Sequence, residues 1–200
     1  EETLHAHGIA GIAIEDMDAH AVSGLERATA CVGAQALLEP QIEVLTSGTT
    51  GTPIFDAQPV QSIGDLAVDP TNPEVVYVGS GEANVRNSVS FGNGIYKTTD
   101  GGKTWKHLGL ADTRHIARVV INPKDPRKVY AAAIGHTFGP NEERGVFMTD
   151  DAGATWKKVL YTDNRHGAAD IDIDPVNPNR LYAGMWYFDR KQWTHRSGDE

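Results

Sequence analysis

The sequence is poor in cysteine and in positive charge, and both shortages narrow the choice of function. A single cysteine, Cys31, among 200 residues excludes a disulfide within the chain. Lysine and arginine number 18 against 27 aspartate and glutamate residues, so the net charge is −9. A protein that binds nucleic-acid phosphates needs a basic face, and we therefore expect no nucleic-acid partner.

Long apolar runs are missing as well. No stretch approaches the roughly 20 apolar residues of a membrane-spanning helix, so no span is expected. Residues 1–20 lack a basic start followed by an unbroken apolar stretch, and we expect no signal peptide there. No cofactor is predicted.

Two groups of side chains could suggest a metal site, and we assign neither as one. The histidines near the start lack further ligands at useful spacing. The aspartates of the second group alternate with isoleucines, as residues on the polar face of a strand do. We favour this interpretation over a calcium site. These groups are His5, His7 and His20, and Asp170, Asp172 and Asp174.

What the sequence does contain is a repeat of about 50 residues. Each copy has an apolar strand, Asp-Pro or Asn-Pro, a polar turn with a second proline, and an apolar strand with a tyrosine. The copies are 66–81, 119–135 and 171–186. Their tyrosines, Tyr77, Tyr130 and Tyr182, lie 53 and 52 residues apart. Paired prolines cannot continue a strand ladder, so each pair marks a reversal between two strands.

A second motif, Thr-x-Asp-x-Gly-x-Thr-Trp, occurs at 98–105 and again at 149–156. Four short strands in a period near 50 are typical of a β-propeller blade. The sequence therefore predicts an all-β fold of four-stranded antiparallel blades, a partial propeller with a non-propeller N-terminal stretch. The predicted strands are 62–68, 74–79, 94–98 and 104–108, then 115–121, 128–134, 145–149 and 155–160.

The domain prediction follows from the repeat. Residues 1–45 do not fit it and form a non-propeller segment with a helical pattern over 23–40, where Ser23 and Glu26 have the spacing of a capping box. The rest is a partial propeller. Its parts are a blade remnant at 46–60, blades at 61–110 and 111–162, and an incomplete blade at 163–200 that ends in a long loop over 187–200.

We interpret the repeated Thr-x-Asp-x-Gly-x-Thr-Trp motif as a structural fastener rather than a ligand or metal contact. Its glycine permits a turn, its aspartate accepts turn amides, and its tryptophan packs between sheets. A catalytic site would not be copied once per blade. The residues concerned are Thr98, Asp100, Gly102, Thr104, Trp105, Thr149, Asp151, Gly153, Thr155 and Trp156.

Successive connections of an up-and-down blade alternate between the two ends of the sheet. The loops from second to third strand and the links between blades should therefore share one face, where long loops on a rigid scaffold usually carry function. Catalytic candidates there are Glu82, Glu142, Glu143 and Asp189. Ligand-binding candidates are Asn84, Arg86, Asn87, Arg114, His115, His136, Arg144, Arg190 and Trp193. Glu82–Arg86 and Glu143–Arg144 could equally be ion pairs that order the loops.

The motifs at 98–105 and 149–156, together with "DPTNPEVVYVGSGEANVRNS" and "HTFGPNEERGVF", closely resemble those of bacterial sortilin-type propellers with Asp-box (BNR) repeats, often labelled glycosyl hydrolases. The resemblance covers about 46–200. It implies remaining blades outside this chain, and a periplasmic, cell-surface or secreted location. Because related propellers have diverse functions, it leaves the activity open.

Three functions are weighed, one of them a purely structural assembly factor without affinity for small ligands; the other two are more specific. The first is an exported binding module that holds a protein, peptide or glycan through its long-loop face. The alternative is a glycoside hydrolase that acts on polysaccharide, with two of the loop carboxylates as acid and base. Sialidase activity is disfavoured, since nothing supports its tyrosine nucleophile beside an arginine cluster.

Overall fold

A computed structural model of the chain describes residues 53–84, 88–191 and 193–197. The predicted non-propeller segment 1–45, most of the blade remnant, and Arg86 and Asn87 lie outside the described residues. Contacts divide the chain into two units, Glu1–Ile54 and Phe55–Glu200, and the strands belong to the second. In the described part, no helix has the length and apolar character needed to cross a bilayer.

The first sheet contains four antiparallel strands that pair in chain order. They are β1 (Ile63–Asp69), β2 (Asn72–Ser80), β3 (Ile95–Thr98) and β4 (Lys106–His107). Asp69 closes the turn from β1 to β2, because its Oδ1 accepts the amide and the hydroxyl of Thr71 at 2.8 and 2.7 Å. Strand β4 is shorter than predicted, since Thr104 and Trp105 belong to the turn before it.

The second sheet repeats this topology after a short 3₁₀ turn, Ala111–Thr113. Its strands are β5 (Ile116–Ile121), β6 (Val129–Ala133), β7 (Gly145–Thr149) and β8 (Lys157–Leu160). Asn122 takes the place of Asp69, and its Oδ1 accepts the amide of Lys124 at 2.9 Å. The prediction of four-stranded antiparallel blades is thus confirmed.

The third sheet has three described strands in the order β11-β10-β9. They are β9 (His166–Ile173), β10 (Leu181–Lys191) and β11 (Thr194–Ser197). The prediction of a loop over 187–200 is therefore wrong for its described part: β10 runs on to Lys191, which pairs with Thr194 of β11. Phe188, buried to 1% exposure, anchors the extension, and the ladder satisfies backbone groups that a loop would leave to water.

Apolar side chains fill the spaces between neighbouring sheets. Tyr77 and Ile95 of the first sheet pack against Val119 and Phe147 of the second. Tyr130 and its neighbours on the opposite side of the second sheet pack against Ile171 and other residues of the third. Because side chains alternate along a strand, each sheet can offer one face to the preceding sheet and the other to the following one.

The two ends of the sheets differ as the sequence predicts. At one end, the turn between the first two strands meets the motif between the last two: the amide of Gly101 donates to the Glu74 carbonyl at 3.0 Å, and that of Ala152 to the Arg127 carbonyl at 2.9 Å. We call this end the turn face. The loops between second and third strands and the links between sheets lie at the other end, which we call the loop face.

Candidate functional site

Hydrogen bonds join the loops and links of the loop face into one surface. The amide of Gly92 donates to the Arg114 carbonyl at 2.8 Å, and His136 Nε2 lies 2.8 Å from the Asp112 carbonyl oxygen. The amide of Asn141 donates to Asn164 at 2.9 Å. Each bond links a loop within one sheet to the connection that leaves that sheet or enters it. The loop face therefore has a defined shape on which ligand groups could be placed.

Glu82 and Phe91 come from the loop between β2 and β3. Glu82 is half-buried, and its Oε2 accepts the amide of Ser90 at 3.1 Å, which ties the two ends of this loop together. Phe91 keeps 47% of its surface exposed while Arg114 lies over its ring at 5.2 Å and His115 meets it edge-on at 5.5 Å. The loop thus presents a carboxylate and an accessible aromatic ring.

His115 lies beneath this surface rather than on it. Its side chain is fully buried, and Nε2 lies 2.8 Å from the hydroxyl of Thr137. Burial lowers the pKa of the imidazole to about 4, so the ring is neutral at pH 7. His115 therefore has a structural role between the two loops, and its contact with a ligand stays a prediction.

Arg144 is also buried, with 0% exposure, and its charge serves the loops. Its guanidinium donates to the carbonyls of Arg165 and His136, each at 2.8 Å, and of Gly139 at 3.3 Å. These bonds hold the loop between β6 and β7 against the link to the third sheet. With 0% exposure, Arg144 orders these loops in this structure, and its contact with a ligand stays a prediction.

Asp189 stands among cations on β10. Its Oδ2 lies 3.6 Å from Arg165 Nη1 and 3.8 Å from Lys191 Nζ, and only 14% of its side chain is exposed. Arg165 also donates to the hydroxyl of Tyr187 at 3.1 Å. The adjacent Arg190 is buried at 7% exposure, and its contact with a ligand stays a prediction.

The remaining candidates are scattered over the loop face. Asn84 and Glu142 are exposed, while Arg114, His136 and Glu143 are half-buried. Lys158 Nζ donates to the backbone carbonyl of Glu142. Trp193, at 82% exposure, lies in the turn between β10 and β11.

Sequence reasoning missed one polar pair on this face. His166 Nδ1 lies 2.8 Å from Asp163 Oδ2, and this contact with His166 is the main reason that the pKa of Asp163 falls to about 2. The signal was present, since Asp163 and His166 are three residues apart in a link between blades. Among the described residues, no group of three or more potential ligand side chains could hold a metal ion.

The repeated motif lies on the turn face, and both copies share the same bonds. In the first, Thr98 Oγ1 donates to Asp100 Oδ1 at 2.7 Å and accepts the amide of Gly102 at 2.9 Å. Thr104 donates its amide to Oδ1 at 2.9 Å and its hydroxyl to Oδ2 at 2.6 Å. The Thr104 bonds, followed by that of Thr98, lower the pKa of Asp100 to about 2. We call 98–105 and 149–156 the aspartate turns.

A groove of about 360 Å³ separates the two aspartate turns. Lys97, Trp105 and Lys106 line one side, and Asp151 and Ala152 line the other. None of the predicted catalytic carboxylates borders it. The described residues therefore place the groove on the turn face and the candidate site at the opposite end of the sheets.

The antiparallel sheets, with their turn face and loop face, define the class of this chain. It is part of a β-propeller whose chemically varied loops lie at one end of the sheets. No protein-family model matches it. A probable oligoxyloglucan-reducing end-specific xyloglucanase of Neosartorya fischeri is 34% identical over 97 residues, which are 46% of this chain and 12% of that protein. A xyloglucanase of a Paenibacillus species is 35% identical over 108 residues, or 50% of this chain and 10% of that protein. The chain thus spans about a tenth of the length of these relatives.

Solved structures of GH74 enzymes are also similar. That of Niastella koreensis superposes with a TM-score of 0.47 at 22% identity, over 64% of this chain and 21% of its own. The GH74 xyloglucanase from Xanthomonas campestris gives 0.45 at 19% identity, over 65% and 21%. These values describe a backbone resemblance and no more.

Proposed function

We propose that this chain is part of a glycoside hydrolase of the xyloglucanase type, and that its loop face contacts xyloglucan or a related polysaccharide. The observation that carries the proposal is the identity of 34% and 35% to two xyloglucanases over 97 and 108 residues. This proposal favours the hydrolase alternative over the binding module that the sequence alone favoured.

The chemistry of the loop face supports a polysaccharide ligand. Glycoside hydrolysis uses a pair of carboxylates on either side of the scissile bond, and this face offers Glu82, Glu142, Glu143 and Asp189. Exposed aromatic rings suit the apolar faces of sugar rings, and Phe91 is available at the same end of the sheets. Acidic and aromatic groups together are what a hydrolase of neutral sugars needs.

Two of the carboxylates differ in surroundings. Asp189 is paired with Arg165 and Lys191, which suits a base or nucleophile because both roles need the ionised form. Glu82 is half-buried and lies close to the buried neutral imidazole of His115, surroundings that suit the acid that protonates the leaving oxygen. We assign Glu82 and Asp189 as the first pair to test, with Glu142 and Glu143 as alternatives.

A binding module of the sortilin type, holding a protein, peptide or glycan, is the second candidate. One observation favours it: the Glu82 carboxylate accepts a loop amide and Asp189 is held by two cations. Carboxylates used in this way order the loops that recognise a ligand and need take no part in proton transfer.

We also propose that the protein is exported to the periplasm, the cell surface or the medium. A polymeric glycan does not cross a membrane, so its hydrolase or receptor must meet it outside the cytoplasm. Cell fractionation with an antibody against the chain tests this, and a purely cytoplasmic protein would contradict it.

The experiment for the hydrolase uses the full-length protein that contains this chain, incubated with xyloglucan and its oligosaccharides. We expect release of reducing sugar that falls about 10²–10⁴-fold in Glu82→Gln and in Asp189→Asn. The matched control is Asp150→Asn, an exposed aspartate on the turn face that pairs only with Lys157 among the described residues. It should keep full activity.

The outcomes separate the two functions. Release that is lost in the loop-face variants and kept in the control supports the hydrolase. Retention of xyloglucan on the protein, with no sugar released, supports the binding module. Release that all three variants leave unchanged would exclude Glu82 and Asp189 and direct the test to Glu142 and Glu143.

A further inference from the structure

The groove between the two aspartate turns contains two lysines that the repeated fold does not require. Lys97 lies on β3 and pairs with Tyr77 of β2, whereas the second sheet has Met148 opposite Tyr130 at the same register. Lys106 begins β4 and is exposed. Because a methionine serves at the equivalent position of the second sheet, the charge of Lys97 is not needed to build a blade.

The second aspartate turn pairs a lysine that the first turn leaves unpaired. Lys157 is the equivalent of Lys106, and its Nζ lies 3.4 Å from Asp150 Oδ2. The first turn has Thr99 at the place of Asp150, and Thr99 lines the groove together with Lys106. Within the described ranges, no carboxylate forms an ion pair with Lys106 or Lys97. The groove thus holds two positive charges in a chain whose net charge is −9.

Neutral groups hold the ammonium of Lys97 in the groove. Its Nζ lies 4.9 Å from the centre of the Tyr77 ring and donates at 3.4 Å to the carbonyl of Ala152, which lines the opposite side. Burial lowers the pKa of Lys97, Asp69 opposes this shift, and the charge of Lys106 lowers the pKa further. An ammonium has three donors, so a ligand carboxylate can accept from those that remain and offset the repulsion between the two lysines.

The other side of the groove suits a ligand that carries hydroxyl groups. Asp151 Oδ1 accepts the Thr149 hydroxyl and the Thr155 amide, whereas in the described part of the chain Oδ2 accepts the Thr155 hydroxyl alone, at 2.6 Å. A carboxylate oxygen can accept two hydrogen bonds, so Oδ2 can take a ligand hydroxyl while Asp151 keeps the bonds of its turn. Trp105 lines the groove and is half-buried, and an indole offers apolar surface to a sugar ring.

We propose that this groove binds a uronic acid residue of an acidic polysaccharide. The sugar carboxylate pairs with Lys97 and Lys106, a sugar hydroxyl donates to Asp151, and the ring packs on Trp105. The volume of about 360 Å³ is that of a small ligand site. One carboxylate with several hydroxyls matches two cations beside one anion, whereas an acidic peptide would bring several carboxylates and few hydroxyl donors. The inference goes beyond the proposed function and does not depend on it, because the groove and the loop face lie at opposite ends of the sheets.

Calorimetric titration of the full-length protein that contains this chain tests the proposal. The probes are trigalacturonic acid and its trimethyl ester, a neutral counterpart of the same shape, and we expect the ester to bind at least about tenfold more weakly. Lys97→Met, which uses the residue found at this register in the second sheet, and Lys106→Gln should each weaken binding of the acid about tenfold. Lys103→Gln is the matched control, since it removes an exposed charge of the same turn that does not line the groove, and it should leave Kd unchanged.

The outcomes either support or overturn the site. Weaker binding in both groove variants, with the control unchanged, supports it. Equal weakening by Lys103→Gln would show attraction to overall charge and would overturn it, as would equal affinities for acid and ester or no binding of the acid. Triglutamate that binds as tightly as the acid would assign the groove to acidic peptides instead. Circular dichroism checks folding, and Lys106→Gln, on an exposed side chain, decides the matter if Lys97→Met does not fold.

Discussion

His115 belongs to the candidate site in sequence, but in the structure it lies beneath the loop face and supports its loops. It follows Arg114, whose backbone has φ 56°, a region that residues with a side chain seldom adopt. The turn at this point directs the imidazole inward to the hydroxyl of Thr137, while Arg114 stays near the surface beside Phe91. Neighbouring residues in the sequence therefore have different roles: Arg114 remains a ligand candidate and His115 supports the loops.

The buried imidazole predicts a pH dependence of stability. Its folded pKa of about 4 lies below the ordinary value of 6.5, so the unfolded chain binds more protons between these values. The contribution of His115 is present above pH 6.5 and is lost as pH falls towards 4. We expect His115→Gln to flatten this part of the curve of unfolding free energy against pH, by about 3 kcal/mol. Denaturant titrations from pH 4 to 7.5 measure it.

The control for this prediction is His107→Gln, which changes an exposed histidine on β4. It should leave the slope between pH 4 and 6.5 in place. A slope that survives in His115→Gln as well would show that other groups cause it.

Among the elements, the loop between β6 and β7 depends most on a single residue. Two of its backbone carbonyls, those of His136 and Gly139, accept hydrogen bonds from the Arg144 guanidinium, which also donates to the Arg165 carbonyl in the link before β9. Burial lowers the pKa of this arginine, while the carboxylates of Asp163 and Asp189 oppose the shift. A buried cation that meets backbone carbonyls must match them in geometry, because its desolvation is costly.

Arg144→Lys tests this geometry. Lysine keeps the charge and loses the planar fork, so we expect the free energy of unfolding to fall by about 2 kcal/mol. Arg127→Lys is the control, since Arg127 has 72% of its side chain exposed, and it should change stability by less than about 0.5 kcal/mol. Urea denaturation of both variants gives the comparison. Equal stability of the two would contradict the structural role of Arg144.

The strands were predictable because local chemistry marks their ends. Proline pairs stop β1 and β5, and the aspartate turns close β3 and β7 with short-range bonds that the residue order specifies. The β10–β11 hairpin was missed because the segment after Tyr187 carries no glycine or proline at its turn. The burial of Arg144 and of Arg190 could not be predicted, since it depends on contacts between separate blades. The shared loop face followed from topology alone.

At the scale of the whole molecule, two exposed apolar faces favour association between chains, and the excess of negative charge opposes it. Leu66 and Val68 on one side and Tyr182 on the other expose surface that equivalent residues bury. The faces differ, so two chains that meet through them would do so head to tail and could add further copies. A net charge of −9 repels such neighbours, and salt weakens this repulsion as the Debye length falls from about 10 Å at 0.1 M to about 3 Å at 1 M.

The isolated 200-residue chain should therefore associate more strongly as salt rises. We expect sedimentation velocity to show a shift from monomer towards larger species between about 0.05 and 1 M sodium chloride, because salt screens the repulsion between chains over this range. Leu66→Glu places a charge on the open apolar face and should restore the monomer at high salt. Val176→Glu adds the same charge in a turn that is 82% exposed and should not. Association that is insensitive to Leu66→Glu would show that another surface mediates it, and a chain that stays monomeric at every salt concentration would show that the open faces do not bind each other.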